Sequence, residues 1–302
     1  MKSKTRILAS WTQRIFILSL FFICLISSPC FSQVNKQNNN PEVKSGYAPV
    51  NGLKMYYEVH GSGKPIVLLH GAFMTIRTNF GRLIPELSKN RQVIAVELQG
   101  HGHTADIDRP FSFENMADDV SALLKYLKVE SADILGYSLG GMVAWQLVIR
   151  HPELAKKLVI ISAVYKYEGW TPETRAIMPK ITPELFNGSP MKSEYDSVAP
   201  DPKHWTQFVS KMKQFVTTPY DFTAEKIKTI KSPTLIITGD GDGVLPEHAV
   251  EMFRLRKGKY MVDFGPVPDT QLAIFPGTSH ISVMMQTAWL LSIVPAFLDA
   301  HR

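Results

Sequence analysis

The sequence predicts an α/β protein with a mostly parallel, doubly wound sheet and a helical cap inserted after the sixth strand. Apolar runs typical of strands covered on both faces alternate with helical patterns, which indicates right-handed crossovers in a parallel sheet. A hairpin precedes these runs, and a proline-rich stretch interrupts them between residues 165 and 230. The 302 residues are enough for one large core with an inserted subdomain.

The first 32 residues are predicted to be a signal peptide. Basic residues precede an apolar run at residues 15–26, and the small residues Cys30 and Ser32 occupy the two positions that cleavage requires. The run is shorter than the roughly 20 apolar residues of a membrane span. We therefore expect cleavage after Ser32, a flexible segment at residues 33–45, and a periplasmic or secreted protein without a stable membrane span. Lipidation of Cys30 ranks second to cleavage after Ser32, because Pro29 is atypical directly before a lipidated cysteine. An uncleaved membrane anchor ranks third.

The apparent basicity of the chain belongs to this N-terminal segment. The chain has 33 basic and 27 acidic residues, but four of the basic ones and none of the acidic ones lie within residues 1–32. Both cysteines, Cys24 and Cys30, lie there as well. We therefore expect no nucleic-acid partner for the mature chain, and no disulfide, thiolate metal site or cysteine nucleophile.

The first part of the core, residues 46–164, begins with the hairpin. Residues 46–50 and 53–59 alternate apolar and polar positions around Asn51-Gly52, a pair that suits a two-residue turn with positive φ. Buried strands are predicted at residues 65–69 and 92–96, followed by a helix at residues 113–127 with Ser112 as its N-cap. The strand before Ser138 is predicted at residues 132–135, and another buried strand is predicted at residues 157–162.

The cap at residues 165–230 separates this part from the second part of the core, residues 231–302. Seven prolines divide the cap, and residues 202–215 carry apolar side chains at mostly helical spacing. The cap aromatics are interpreted first as packing residues and only second as pocket walls: Trp170, Trp205, Phe208 and Phe215. In the second part of the core, a strand is predicted at residues 232–238 and a helix from residue 246 onward. The last strand is predicted at residues 270–274, and a closing helix is predicted at residues 283–298.

The motif Gly136-Tyr137-Ser138-Leu139-Gly140 lies between a predicted strand and a predicted helix. Side chains at Gly136 and Gly140 would collide in so tight a turn, so we expect Ser138 on strained backbone with an exposed hydroxyl. The N–H of Leu139 would point at a developing oxyanion. For the pentapeptide alone, a glycine-rich turn that merely packs closely remains the alternative.

Two further side chains follow later strands, at the edge where open α/β sheets place their ligand sites. Asp242 comes after the strand at residues 232–238, and His280 comes after the last strand. A serine hydroxyl needs a base, so we expect His280 to take its proton and Asp242 to accept the other imidazole N–H. Asp240 is the alternative acid.

Together these motifs are similar to those of the α/β-hydrolase fold superfamily over about residues 46–298. The resemblance rests on five motifs: His70-Gly71, Gln99-Gly100-His101-Gly102, the Ser138 pentapeptide, Gly239-Asp240-Gly241-Asp242 and Pro276-Gly277-Thr278-Ser279-His280. It implies a serine esterase-like or lactonase-like protein with a cap domain, and it favours Asp242 over Asp240 as the acid of a catalytic triad.

The loop after Gly71 is expected to complete the site. The backbone N–H groups of Ala72 and Leu139 are the predicted oxyanion hole, with Phe73 as the second choice for Ala72. Phe73 and Tyr137 are also candidate substrate-binding residues. We interpret the loop residues His70, His101 and Glu97 as structural.

The expected function is that of an exported serine hydrolase that cleaves a small carboxylic ester or lactone through an acyl-enzyme on Ser138. Carbon–carbon bond hydrolysis, amide hydrolysis and perhydrolysis remain alternatives, as does a ligand-binding or receptor-like protein on the same scaffold. No metal-ligand spacing, phosphate-binding loop or dinucleotide fingerprint occurs in the sequence, so we expect no metal or cofactor.

Overall fold

A computed structural model of the chain describes residues 43–258, 262–263, 265 and 268–300. The predicted signal peptide therefore lies outside the described residues, as does the predicted flexible segment except for residues 43–45. The strands are β1 (Lys44–Val50), β2 (Leu53–His60), β3 (Lys64–Leu69), β4 (Arg91–Val96), β5 (Ala132–Tyr137), β6 (Ala155–Ile161), β7 (Thr234–Gly241) and β8 (Thr270–Ser279). The α-helices are α1 (Ile76–Phe80), α2 (Ile84–Leu87), α3 (Phe113–Tyr126), α4 (Leu139–Arg150), α5 (Pro172–Ile177), α6 (Pro190–Val198), α7 (Trp205–Thr217), α8 (Ala224–Thr229), α9 (Pro246–Leu255) and α10 (Thr287–Asp299).

The eight strands form one sheet in the order β1-β2-β4-β3-β5-β6-β7-β8. The hairpin strands β1 and β2 pair antiparallel, and β2 is also antiparallel to β4. The remaining strands pair in parallel. The turn residues Asn51 and Gly52 have φ angles of 47° and 87°. The predicted fold class is confirmed, with its antiparallel hairpin at one edge of a mostly parallel sheet.

Both faces of the sheet are covered, which explains the unbroken apolar runs of its central strands. Along β3, the side chains of Val67 and Leu69 belong to one hydrophobic core, and those of Ile66 and Leu68 belong to the other. Helices α3 and α4 contribute to the first core, whereas α2 and α10 contribute to the second. Successive side chains of a strand point to opposite faces, so each central strand must be apolar at every position.

The last strand and the closing helix differ from the prediction. The last strand was predicted to end at residue 274, but β8 continues to Ser279 and ends directly before His280. The closing helix is divided into a 3-10 turn, Ser282–Met285, and α10, which begins at Thr287. Pairing of β8 with β7 extends as far as Gly241 and Ser279, which keeps the end of β8 extended.

The cap contains α5, α6, α7 and α8 and is inserted between β6 and β7. Its two ends are joined by backbone hydrogen bonds, from Tyr167 N–H to Tyr220 O at 2.8 Å and from Phe222 N–H to Tyr165 O at 2.9 Å. Ion pairs tie α6 and α7 to the core: Glu194 with Arg77 of α1, and Lys211 with Asp106 of the chain after β4, at 2.8 Å. The cap is therefore held against the loops at the carboxyl ends of the strands.

The aromatic residues of α7 pack as predicted. Trp205 and Phe208 are 4% and 1% exposed. The Phe208 ring also contacts Phe73 and His101 of the core, so this packing extends across the boundary between cap and core. No helix of the described residues is both long enough and apolar enough to cross a membrane.

Candidate active site

Ser138 occupies the turn between β5 and α4 with φ 51° and ψ −118°, a conformation in which L-residues are strained. A Cβ on Gly136 would lie 2.2 Å from the carbonyl oxygen of Gly140, and a Cβ on Gly140 would lie 2.0 Å from that of Leu69. Neither contact is possible, so both positions require glycine. The close approach that the sequence predicted between the two glycines is therefore present.

Ser138 lies close to several neighbouring groups. The residue is only 9% exposed. The loop at Gly71 lies against it, since a Cβ on Gly71 would be 3.5 Å from the Ser138 Cβ. The imidazole of His280 also lies over its hydroxyl. Ser138 as a whole residue is therefore nearly buried, and the exposure predicted for its hydroxyl stays a prediction.

The structure brings Ser138, His280 and Asp242 together. The distance from His280 Nε2 to Ser138 Oγ is 2.9 Å, and the distance from His280 Nδ1 to Asp242 Oδ1 is 2.8 Å. The His280 side chain is 31% exposed, whereas that of Asp242 is fully buried. With the carboxylate accepting from Nδ1–H, Nε2 carries a lone pair that faces the serine hydroxyl.

The carboxylate of Asp242 is held by several donors besides His280. Its Oδ2 accepts hydrogen bonds from the hydroxyls of Ser162 and Thr238, and its Oδ1 accepts one from Val244 N–H. Burial raises the pKa of this carboxyl, but the hydrogen bond and charge of His280 and the other donors outweigh burial and hold the pKa below its usual value. Asp242 is therefore a buried anion at neutral pH.

The alternative acid, Asp240, is not part of this arrangement. It lies at the surface, and its Oδ1 accepts a hydrogen bond from Thr278 N–H at 3.2 Å. Hydrogen bonds from backbone N–H groups, that of Gly277 first, lower the pKa of this carboxyl. Asp240 therefore fastens the segment that precedes His280 and does not contact the imidazole.

Two aromatic residues hold His280. The Tyr137 hydroxyl donates to the His280 carbonyl at 2.8 Å, and the Tyr137 ring lies 5.4 Å from the imidazole. The ring of Trp170, from the start of the cap, meets the imidazole edge-on at 5.6 Å. Burial raises the pKa of the Tyr137 hydroxyl, so it remains a donor. Tyr137 is buried in this contact, and its predicted role in substrate binding stays a prediction.

The backbone N–H groups of Ala72 and Leu139 lie in the two segments that flank Ser138. Leu139 is the first residue of α4, where N–H groups have no acceptor within the helix. Among the described residues, neither group, nor the N–H of Phe73, donates to a protein acceptor. Gly71 N–H donates to Asn79 Oδ1 at 2.7 Å and so fastens this loop to α1.

Phe73 has a φ of 61° and is partly buried. Its ring packs against Phe186, Trp205 and Phe208 of the cap, with ring centroids 4.6, 6.3 and 5.6 Å away. The structure therefore places Phe73 between the loop after Gly71 and the cap. Its contact with substrate stays a prediction.

The loop roles expected for His70, His101 and Glu97 are confirmed by their hydrogen bonds. His70 bonds to Gly71 O and accepts from Leu98 N–H, and His101 bonds to Gln99 O. Burial lowers the pKa of both imidazoles, that of His101 to about 3, so both are neutral. Glu97 accepts from the backbone N–H groups of Ile76 and His103 and thus joins the start of α1 to the loop at His103.

Several residues at the site carried too weak a sequence signal to be found. Ser162 follows the buried run of β6, and this position at a strand end was the only sign that it could reach Asp242. Trp170 and Tyr220 are separated by 50 residues, yet Trp170 Nε1–H donates to the Tyr220 hydroxyl at 3.2 Å. Met142 Sδ lies 2.6 Å from the same hydroxyl.

The described residues contain no group of three or more His, Cys, Asp or Glu that could hold a metal ion.

The fold and the site define the class of protein, an α/β hydrolase with a helical cap. The family model described as the alpha/beta hydrolase family matches residues 66–292. The chain therefore belongs to the alpha/beta hydrolase family.

Three comparisons illustrate its relatives. The chain is 32% identical over 133 residues to the 2-hydroxymuconate semialdehyde hydrolase of Pseudomonas sp. (strain CF600), a match that covers 43% of this chain and 47% of that protein. It is 30% identical over 237 residues to the human serine hydrolase BPHL, covering 72% of this chain and 77% of the relative. The solved structure of a meta-cleavage product hydrolase from Pseudomonas fluorescens IP01 superposes with a TM-score of 0.66 at 24% identity, covering 87% of this chain and 99% of that one.

Proposed function

We propose that the protein is a serine hydrolase that cleaves a carboxylic ester or lactone through an acyl-enzyme on Ser138. The observation that carries this proposal is the chain of contacts from Ser138 Oγ to His280 Nε2, at 2.9 Å, and from His280 Nδ1 to Asp242 Oδ1, at 2.8 Å. The strained backbone at Ser138 supports it, because strain of this kind persists where the surrounding structure enforces it and is common at active sites.

In the proposed reaction, His280 Nε2 takes the proton of Ser138 Oγ as the oxygen attacks the ester carbonyl carbon. The carbonyl electron pair moves to oxygen, and the N–H groups of Leu139 and Ala72 stabilise the resulting oxyanion. The anion of Asp242 stabilises the imidazolium. Collapse of the tetrahedral intermediate breaks the bond to the alcohol oxygen, which receives the proton from His280 Nε2.

Water completes the proposed cycle. His280 takes a proton from water as the water oxygen attacks the acyl carbon, and the bond to Ser138 Oγ breaks when that oxygen recovers its proton. In a lactone the alcohol remains part of the same product molecule. Both half-reactions use one base and one oxyanion hole, so no cofactor is required by this chemistry.

A fluorophosphonate probe tests whether Ser138 is an activated nucleophile. We expect the probe to label the wild-type protein covalently, with the added mass on the peptide that contains Ser138, because His280 and Asp242 activate the hydroxyl. The measurement is intact-protein and peptide mass spectrometry. Prior heat denaturation should abolish labelling. Absence of labelling in the folded protein would favour the ligand-binding alternative.

A second candidate is hydrolysis of a carbon–carbon bond, a chemistry that the same three residue types serve in the family. The similarity to a 2-hydroxymuconate semialdehyde hydrolase favours it. Substrate preference distinguishes ester or lactone hydrolysis from carbon–carbon bond hydrolysis. A higher kcat/KM for 2-hydroxymuconate semialdehyde than for every ester and lactone in a panel would select the second.

We also propose that the protein is exported and processed after Ser32. This rests on the basic residues and the apolar run before that position. When the whole chain is produced in a Gram-negative host, we expect the mature protein in the periplasm with a mass that corresponds to a start at Gln33. A lipid-modified start at Cys30 that disappears in Cys30→Ala would contradict the proposed cleavage site.

A further inference from the structure

An open groove of about 870 Å³ lies between the chain before α3 and the C-terminal part of α7. One wall comes from residues 108–114 and the other from α7 and residues 218–222. Its floor is aromatic: the ring of Phe113 lies 4.6 Å from that of Phe215, 4.7 Å from that of Tyr220 and 5.3 Å from that of Phe222. We call this surface the aromatic groove. It is shared between cap and core, like the candidate active site.

Tyr220 separates the aromatic groove from the candidate active site. Its ring lines the groove, whereas its hydroxyl accepts from Trp170 Nε1–H at 3.2 Å and lies 2.6 Å from Met142 Sδ. Trp170 contacts the imidazole of His280, and the N–H of Met142 donates to the Ser138 carbonyl at 3.1 Å. One side chain therefore stands between the groove and two residues near the site: Trp170, which contacts His280, and Met142, which lies one helical turn after Ser138.

The hydroxyl of Tyr220 contacts Trp170 and Met142, whereas its ring borders the groove. Burial raises the pKa of this hydroxyl well above its usual value, so it stays neutral at any working pH. The contacts that hold it are one neutral hydrogen bond and one contact to a thioether, which are individually weak. A bound apolar chain could displace the ring without leaving a charged group unpaired.

The charges around the aromatic groove disfavour an anionic ligand. The basic groups Arg109 and Lys211 are neutralised by Asp119 and Asp106, at 2.6 and 2.8 Å. Three further carboxylates at the groove, those of Asp108, Glu114 and Asp221, are exposed, and none forms an ion pair with a described residue. The groove is therefore aromatic at its floor and acidic at its rim.

We propose that the aromatic groove binds the uncharged apolar tail of the ester substrate, and that Tyr220 sets how long a tail can extend from Ser138. This inference rests on the proposed esterase function. The wild-type protein should prefer short esters, because a longer tail must displace the Tyr220 ring before it reaches the groove.

The test compares kcat/KM for short and long tails in two series, p-nitrophenyl acetate against octanoate and ethyl acetate against hexyl acetate. We expect Tyr220→Ala to raise the long-to-short ratio by roughly tenfold or more in at least one series, since each buried methylene contributes to selectivity. Tyr220→Phe keeps the ring and should keep the wild-type ratio. Tyr220→Leu is a second opening variant, because leucine preserves an apolar side chain if alanine disrupts folding.

A second substitution locates the tail. Gln214 is exposed and lines the aromatic groove, whereas Thr206 is exposed on the same helix and does not line it. In the Tyr220→Ala background, Gln214→Trp should cancel the gained preference for long tails, and Thr206→Trp should leave that preference unchanged.

A charged substrate tests the acidic rim. In the Tyr220→Ala variant, kcat/KM for the p-nitrophenyl monoester of suberic acid, an octanoate analogue with a terminal carboxylate, should be several-fold lower than kcat/KM for the octanoate.

The outcomes separate this inference from the proposed function. Turnover of p-nitrophenyl acetate and fluorophosphonate labelling by the wild-type protein test the function alone. If both are present but the long-to-short ratio is unchanged in both opening variants, and their melting temperatures remain near that of the wild type, the inference is wrong. Equal effects of Gln214→Trp and Thr206→Trp would also overturn it.

Discussion

Ser138→Ala is expected to lower kcat for p-nitrophenyl acetate by roughly 10⁴-fold to 10⁶-fold. The variant loses the only atom that forms the proposed acyl bond, while the oxyanion donors and the pocket remain and account for residual turnover. Serine and alanine both carry a Cβ, so the backbone strain at φ 51° is similar in the two proteins. Steady-state kinetics and thermal unfolding measure the two effects separately.

A matched control for this prediction is Ser193→Ala. Ser193 is an exposed serine on α6, and its hydroxyl contacts only the carbonyl of Ser189 among the described residues. We expect this variant to keep wild-type kcat and melting temperature. A folded Ser138→Ala protein that retains more than about a tenth of wild-type turnover would contradict the proposed acyl-enzyme on Ser138.

Asp242→Asn is expected to lower kcat by about 10⁴-fold with little change in fold, as such a substitution does in serine proteases. Asn cannot replace the buried anion that accepts from His280 Nδ1–H. Its amide group donates, which favours the imidazole tautomer with the proton on Nε2, and that tautomer cannot take the Ser138 proton. The imidazolium that forms in the reaction also loses its counter-charge.

The neighbouring carboxylate offers the control for this second prediction. Asp240→Asn removes a surface charge that contacts Thr278 N–H and does not reach His280. We expect its kcat to stay within a few-fold of the wild-type value, because an asparagine oxygen can still accept from Thr278 N–H. If Asp240→Asn were as inactive as Asp242→Asn, the role assigned to the buried carboxylate would be wrong.

The positions of the central strands along the chain and the glycine-rich turns were accessible to sequence reasoning because their causes are local. A central strand covered on both faces must be apolar at every position, so β3 and β4 are visible as continuous runs. The turn at Ser138 excludes a Cβ at Gly136 and Gly140, so the requirement is visible in the sequence as glycine at both positions. The extension of β8 to Ser279 was missed because pairing with β7, rather than residue type, keeps it extended.

The surroundings of the site could not be predicted in the same way. The two aspartates at 240 and 242 are equivalent as a local pattern, and only folding buries one and exposes the other. Ser162 is 80 residues from Asp242 along the chain, and Tyr137 is 143 residues from the carbonyl of His280. Such contacts depend on how separate strand ends come together, and a single sequence carries no signal for that.

The sequence by itself determined which residue types stand at the ends of which strands, because hydrophobic periodicity and glycine geometry act over a few residues. The tertiary structure alone decided that the Ser138 hydroxyl is covered by His280 and that Tyr220 lies between Met142 and the aromatic groove. Those arrangements arise from packing of the cap on the core. Packing couples side chains that are distant in the chain, and its outcome depends on all of them at once.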